Sequence, residues 1–266
     1  MALCSFAGGQ LWGARYGTGR PRVLALHGWG RDHHDFDAVL GGLDAVALDL
    51  PGHGVAPEPP SSWSTRQYAQ WAALVLPDMG PRPLVVVGHS FGGRVALQLA
   101  TAVLQPQEAG AAPAGRSCLV LSGVPVGLPP GHSPGRPALA YRLGRALGRA
   151  GLLAPARLEQ LRQKYGSDDY RRASPLMRGV LVQAVQETRT GTYGPLLRAW
   201  ASSGHRLELV WGQQDTQAPL GPALAAVAGL PSVHVSVVPG AGHLLAPALA
   251  AQLKAAIVSC LGPEAA

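Results

Sequence analysis

Ser90 stands in the run LVVVGHSFGGRVALQLA at residues 84–100, between the pairs Gly88-His89 and Phe91-Gly92. A serine hydroxyl is a weak nucleophile until a neighbouring base takes its proton, so a chemical role for Ser90 requires a partner. Two residues elsewhere are placed to serve. Asp215 follows an apolar run at 207–211, and His243 follows another at 233–238. Singly, Ser90 reads equally well as a turn serine, Asp215 as a turn aspartate and His243 as a loop histidine. Together they hold the three parts of a nucleophilic acyl transfer: a hydroxyl, a base to deprotonate it and a carboxylate to orient the base.

The elements around these residues decide whether they can meet. The residues Leu84, Val85, Val86 and Val87 have the length and composition of a buried strand, and Val95, Leu97, Leu99 and Ala100 follow at helical spacing, so Ser90 sits on a strand-to-helix turn. Glycines at 88 and 92 suit a turn in which strand and helix approach too closely for a Cβ. The N–H of Phe91, at the helix start, would point at any oxyanion formed beside Ser90. Further strands are expected at 11–17, 23–26, 45–50 and 118–121, and helices at 35–43, from an N-cap at Thr65, at 220–228 and at 246–261. In a parallel sheet every strand C-terminus opens on one edge, so residues that follow strands converge there whatever their separation in sequence. Between 124 and 203 the alternation stops. Segments 138–148, 155–165, 174–187 and 193–201 carry helical periodicity with no strand among them, far more than the dozen residues one crossover needs.

The motif G-x-S-x-G at Gly88–Gly92 resembles the nucleophile elbow of the α/β-hydrolase family, and the order Ser90, Asp215, His243 is similar to that family's triad order. The strand ending in His27-Gly28-Trp29-Gly30 resembles its oxyanion loop, and Asp49-Leu50-Pro51-Gly52-His53-Gly54 resembles a further loop of the core, without the serine that often follows it. The resemblance implies an α/β fold with a mostly parallel sheet flanked by helices and a helical lid inserted after the sixth strand. The corresponding division is core at 1–123, lid at 124–203 and core again at 204–266. It also implies Ser90, Asp215 and His243 as catalytic residues, the N–H groups of Trp29 and Phe91 as the oxyanion hole, and His27, Gly28 and His89 as substrate-binding residues. His27 is expected to hold loop backbone through its imidazole, and Asp49 to brace loops. The branch implied is that of small bacterial serine esterases, which includes pimeloyl carrier-protein methyl ester esterases and enol-lactonases. A serine at the elbow disfavours the dehalogenase and epoxide-hydrolase branches, which use aspartate.

Composition narrows the alternatives. Of 266 residues, 47% are hydrophobic and 14% charged, as in a globular chain with a large core, and no apolar run is long enough to span a membrane. No signal segment is evident at the start, so a cytoplasmic, soluble protein is expected, as monomer or homodimer. Cys4, Cys118 and Cys260 are odd in number and far apart, which argues against a disulfide frame or zinc site, with Cys118 packing as a small apolar residue. His33 and His34 lack further ligands at metal spacing and read as a helix start; neither metal nor organic cofactor is expected. The net charge of +7 is uneven, with 14 Lys plus Arg against 4 Asp plus Glu from Arg116 to Arg206. Those cations, among them Arg142, Arg145, Arg149, Arg157 and Arg162, are dispersed at helical spacing without the basic runs or aromatic motifs of a nucleic-acid binder. They suit an anionic or carrier-bound small-molecule ester. A serine ester, lactone or thioester hydrolase is the first expectation. A same-triad carbon–carbon bond hydrolase, lyase or cofactor-free perhydrolase is the second, and a ligand-binding protein without turnover the third.

Overall fold

The computed structural model describes residues 1–81, 84–104, 116–128, 154, 156–157, 160 and 167–262. Among these, eight strands form one sheet: β1 (Ala2–Phe6), β2 (Leu11–Tyr16), β3 (Val23–Leu26), β4 (Ala45–Leu48), β5 (Val85–His89), β6 (Cys118–Ser122), β7 (Arg206–Gly212) and β8 (Val233–Val238). Their order across the sheet is β1-β2-β4-β3-β5-β6-β7-β8. The ladders β1–β2 and β2–β4 are antiparallel, and every pair from β4 through β8 is parallel.

Successive residues of a strand face opposite sides of its sheet, and the core divides accordingly. Leu24, Leu26, Val86, Leu119, Leu121 and Leu209 pack on one side, against α2 (Thr65–Ala72), α3 (Ser90–Leu99) and, from later in the chain, α6 (Tyr193–Ser202). Val23, Ala25, Val85, Val87, Val120 and Val210 pack on the other, against α1 (Asp37–Leu40) and the C-terminal α8 (Pro247–Leu261). Two covered faces explain why the central strands read as unbroken apolar runs. Each fully buried Leu or Val contributes about 1.5–3 kcal/mol relative to exposure.

Between β6 and β7 lie α4 (Asp168–Arg172), α5 (Pro175–Arg189) and α6, and α7 (Gly221–Ala226) joins β7 to β8. The helix expected at 138–148 and most of the one at 155–165 lie outside the described residues, with Arg142, Arg145, Arg149 and Arg162.

Several expectations are corrected. An added edge strand, β1, precedes the first one read from the sequence. The helix expected at 35–43 is a 3-10 turn at His33–Phe36 followed by one turn of α-helix, ending at the glycine pair Gly41-Gly42. The N-cap of α2 is Ser64, because a reciprocal capping box with Gln67 forms there, leaving Thr65 to bond Glu187 and Tyr193. Cys118 does not pack as a free thiol. It is joined to Cys260, 142 residues away, because α8 lies over β6 and brings the two Cα atoms to 6.0 Å.

Candidate active site

The parallel strands end together, and the candidate residues follow those ends. Leu26 of β3 is in register with Gly88 of β5, and Gly88 with Leu121 of β6. The chain leaves β5 into α3 through Ser90, whose φ is 51° and which is one of two non-glycine residues with positive φ among those described. Holding an L-residue there costs of order 1–3 kcal/mol, a strain that packing must sustain. The flanking glycines show why the turn closes only with this sequence. A Cβ on Gly88 would collide with the backbone of Gly93, and one on Gly92 with the carbonyl of Leu26. The close packing of α3 on β5 and β3 therefore thrusts the Ser90 side chain above the sheet edge.

There it meets His243, whose Nε2 lies 3.0 Å from Ser90 Oγ, while His243 Nδ1 lies 2.9 Å from Asp215 Oδ2. The loops after β7 and β8 supply these two residues. Asp215 Oδ1 accepts from the amides of Gln217 and Ala218 at 3.0 and 2.9 Å, which fixes the carboxylate plane. Burial alone would push this carboxyl up, but the hydrogen bonds from His243 and Ala218, the His243 charge and the Gln217 amide outweigh it and hold Asp215 below the ordinary carboxylate range. An ionised Asp215 accepts from Nδ1–H and leaves Nε2 free to take the serine proton. The other carboxylates that could have competed are committed elsewhere. Asp49 accepts from the backbone and ring of His33 and from Val55 N–H, bracing the two loops, and Glu208 pairs with Arg206.

Trp29 and Phe91 stand beside Ser90, their rings edge to face at 5.3 Å between centroids. The Phe91 N–H belongs to the first turn of α3, where amides have no carbonyl one turn back to bond. Gly28 faces the site closely: a Cβ there would come within 3.2 Å of His89 and 3.5 Å of Ser90. His89 is 2% exposed and lines the same cavity, and burial beside His243 pulls its pKa down to about 3, so it is neutral at ordinary pH. His27, expected among the substrate-binding residues, is placed differently. It is fully buried, with Nδ1 bonded to Gly28 O at 2.8 Å and Nε2 accepting from Leu50 N–H at 3.0 Å, so both nitrogens tie the loops after β3 and β4. Burial lowers its pKa as well, keeping it neutral.

The cavity over Ser90 has a volume of about 770 Å³. Its floor is Ser90, His243 and His89. Its walls include His53 from the loop after β4 and Arg172 and Met177 from α4 and α5. His53, which the sequence placed only in a turn, packs edge-on to Trp29 at 4.9 Å and is pulled down to about pKa 4 by burial and by His27. Among the described residues, no cluster of His, Cys, Asp or Glu could hold a metal ion.

A strained serine on a strand-to-helix turn, followed in chain order by an aspartate and a histidine at parallel strand ends, defines a class of folds rather than one activity. Residues 23–255 match the alpha/beta hydrolase family, and the chain belongs to it. It is 33% identical over 240 residues to the dihydrolipoyllysine-residue acetyltransferase component of the acetoin cleaving system of Cupriavidus necator, covering 87% of this chain and 61% of that protein. It is 40% identical over 95 residues to an esterase of Mycobacterium tuberculosis, covering 35% of this chain and 32% of that one. The matches thus span 61% and 32% of the length of these relatives, less than two thirds of either. In fold it is similar to a bromoperoxidase from Bacillus anthracis (TM-score 0.66, 16% identity, 98% of this chain and 99% of that one). It is also similar in fold to a thermophilic esterase from Thermogutta terrifontis (TM-score 0.64, 20% identity, 98% of each chain). Among the described residues no helix is long and apolar enough to cross a membrane.

Proposed function

We propose that this chain is a serine hydrolase that cleaves a small carboxylic ester, or the related lactone or thioester, through an acyl-enzyme intermediate. The observation that carries this reading is the unbroken hydrogen-bonded series Ser90 Oγ, His243 Nε2, His243 Nδ1, Asp215 Oδ2 at the floor of the cavity. In the first half-reaction His243 takes the Ser90 proton as Oγ attacks the carbonyl, and the developing oxyanion is met by the N–H groups of Trp29 and Phe91. Imidazolium His243, stabilised by Asp215, then protonates the departing alcohol. In the second half-reaction His243 deprotonates water, which attacks the acyl group on Ser90; the intermediate collapses as His243 returns that proton to Ser90 Oγ, releasing the acid.

Segment 124–203 serves as the lid in this scheme. The residues that α4 and α5 place in the cavity wall, Asp168, Asp169, Arg172 and Met177, support that role, since they give the lid direct contact with a bound ester. The test is a panel of p-nitrophenyl esters of increasing acyl length, run with wild type and Ser90→Ala. Saturable hydrolysis with one preferred length, lost in Ser90→Ala, is the expected result. Hydrolysis retained within tenfold in a folded Ser90→Ala protein would overturn the reading.

A further inference from the structure

Arg94 lies on α3 four residues after Ser90 and is 8% exposed. Among the described residues its Nε has no hydrogen-bond partner. Its guanidinium carbon lies 5.9 Å from the ring centroid of Tyr193. The carboxylate of Glu187 attracts it through space, but that group is already bonded to the Tyr193 and Thr65 hydroxyls at 2.6 and 2.7 Å. A guanidinium brings five donors in a planar fork and stays charged even when buried. Burying its Nε–H without an acceptor is unfavourable. The side chain is instead aimed into a second cavity of about 220 Å³, whose lining includes Arg94, Ser90, His243 and Gln217 with apolar walls at Leu181 and Val185. Asp169 also borders this cavity, on its solvent-exposed side.

We propose that Arg94 is a substrate-binding residue that receives a carboxylate carried by the substrate a few bonds from the carbonyl attacked by Ser90. Ser90 and Arg94 line the same cavity of about 220 Å³, which sets that short separation. The substrate class is a short-chain ester, thioester or lactone bearing a free carboxylate, such as a monoester of a dicarboxylic acid. The fork of Arg94 would grip the carboxylate while the apolar walls hold the intervening methylenes. This assignment rests on the ester-hydrolase reading above and narrows it.

The test compares monomethyl glutarate with its primary-amide analogue, methyl 4-carbamoylbutanoate, in wild type, Arg94→Gln and Arg94→Lys. The ratio of the two kcat/KM values cancels general damage to the enzyme. Wild type should favour the carboxylate, and Arg94→Gln should lower the ratio by about ten- to a hundredfold, the worth of hydrogen bonds to a charged group, with partial recovery in Arg94→Lys. A ratio unchanged in a folded Arg94→Gln protein overturns the proposal, and a fall in Tm with no change in ratio assigns Arg94 to packing against Tyr193. Should Arg94→Gln fail to fold, glutarate must still inhibit wild type competitively where glutaramide does not; equal inhibition, or none, is again a refutation. If no ester is turned over at all, the hydrolase reading fails by itself. Arg94 then stands or falls on whether glutarate raises the Tm of wild type, less that of Arg94→Lys and not that of Arg94→Gln.

Discussion

Asp215→Asn isolates the electronic part of the site from its scaffold. The Asp215 carboxylate accepts three hydrogen bonds among the described residues, two from the amides of Gln217 and Ala218 to Oδ1 and one from His243 to Oδ2. Asparagine can keep its carbonyl oxygen on the two amides, which leaves its NH₂ facing His243 Nδ1. That donor forces the proton of a neutral His243 onto Nε2, the nitrogen 3.0 Å from Ser90 Oγ, and the base can no longer accept. A wrong tautomer of this kind costs about 10⁴-fold in kcat, roughly 5 kcal/mol of transition-state stabilisation, with KM little changed. Folding should suffer less, since the three charge-assisted bonds are weakened to neutral ones and none is lost. Asp215→Ala should be as inactive but less stable, because the two amides lose their acceptor at a cost of about 1–3 kcal/mol each. The assays are steady-state hydrolysis of the best p-nitrophenyl ester and urea unfolding of both variants. Asp215→Asn activity within tenfold of wild type would refute the role given to this carboxylate.

Acid should destabilise the fold earlier than carboxylates alone would cause. His53 and His89 are held near pKa 4 and 3 by burial, so below about pH 6.5 the unfolded chain binds protons that the folded one refuses, and stability falls as pH falls. For His53 the loss reaches about 3 kcal/mol by pH 4, and urea unfolding between pH 7.5 and 4.5 should show a slope that His53→Gln flattens; a flat wild-type profile would contradict it. The depressed Asp215 has the usual carboxylate sign, contributing stability above about pH 4 and losing it as pH falls further. In the loop after β3, proposed to hold an oxyanion donor, Gly28→Val should cost about a hundredfold in kcat, because its side chain meets His89 and Ser90, whereas Trp29→Phe keeps the backbone donor and should cost far less. Equal losses in the two would count against a backbone role for Trp29. Gly92→Ala should give little folded protein, since its Cβ meets the Leu26 carbonyl, and a normal yield with normal activity would be inconsistent with the packing of the elbow.

The parts of the site that were legible in the sequence are those that backbone geometry or topology demands. Gly88 and Gly92 around Ser90 mark a turn that admits no side chain, and Asp215 and His243 meet because each follows a parallel strand. What escaped depends on contacts that no local pattern records. β1 carries only a short apolar stretch, Ala2-Leu3-Cys4, that stays largely uncovered, and forms by pairing Ala2–Phe6 along β2. Ser64 and Thr65 are adjacent hydroxyl residues, and only the reciprocal bond with Gln67 decides which one caps. Cys118 and Cys260 come together through the docking of α8 on β6. Arg94 is the most instructive case: an arginine inside a helix reads as a surface residue, and only the packing of α6 over α3 buries it beside Ser90.

The claim at the centre is that Ser90 is the nucleophile, and covalent trapping measures it most directly. The wild-type protein is incubated with a fluorophosphonate at neutral pH, its mass is read intact, and the adduct is located by peptide mapping. One adduct per chain on Ser90, none on Ser90→Ala, and a much slower reaction in His243→Ala is the expected result. A label on another residue, or ester turnover in wild type that continues at full rate with Ser90 unmodified, would contradict it.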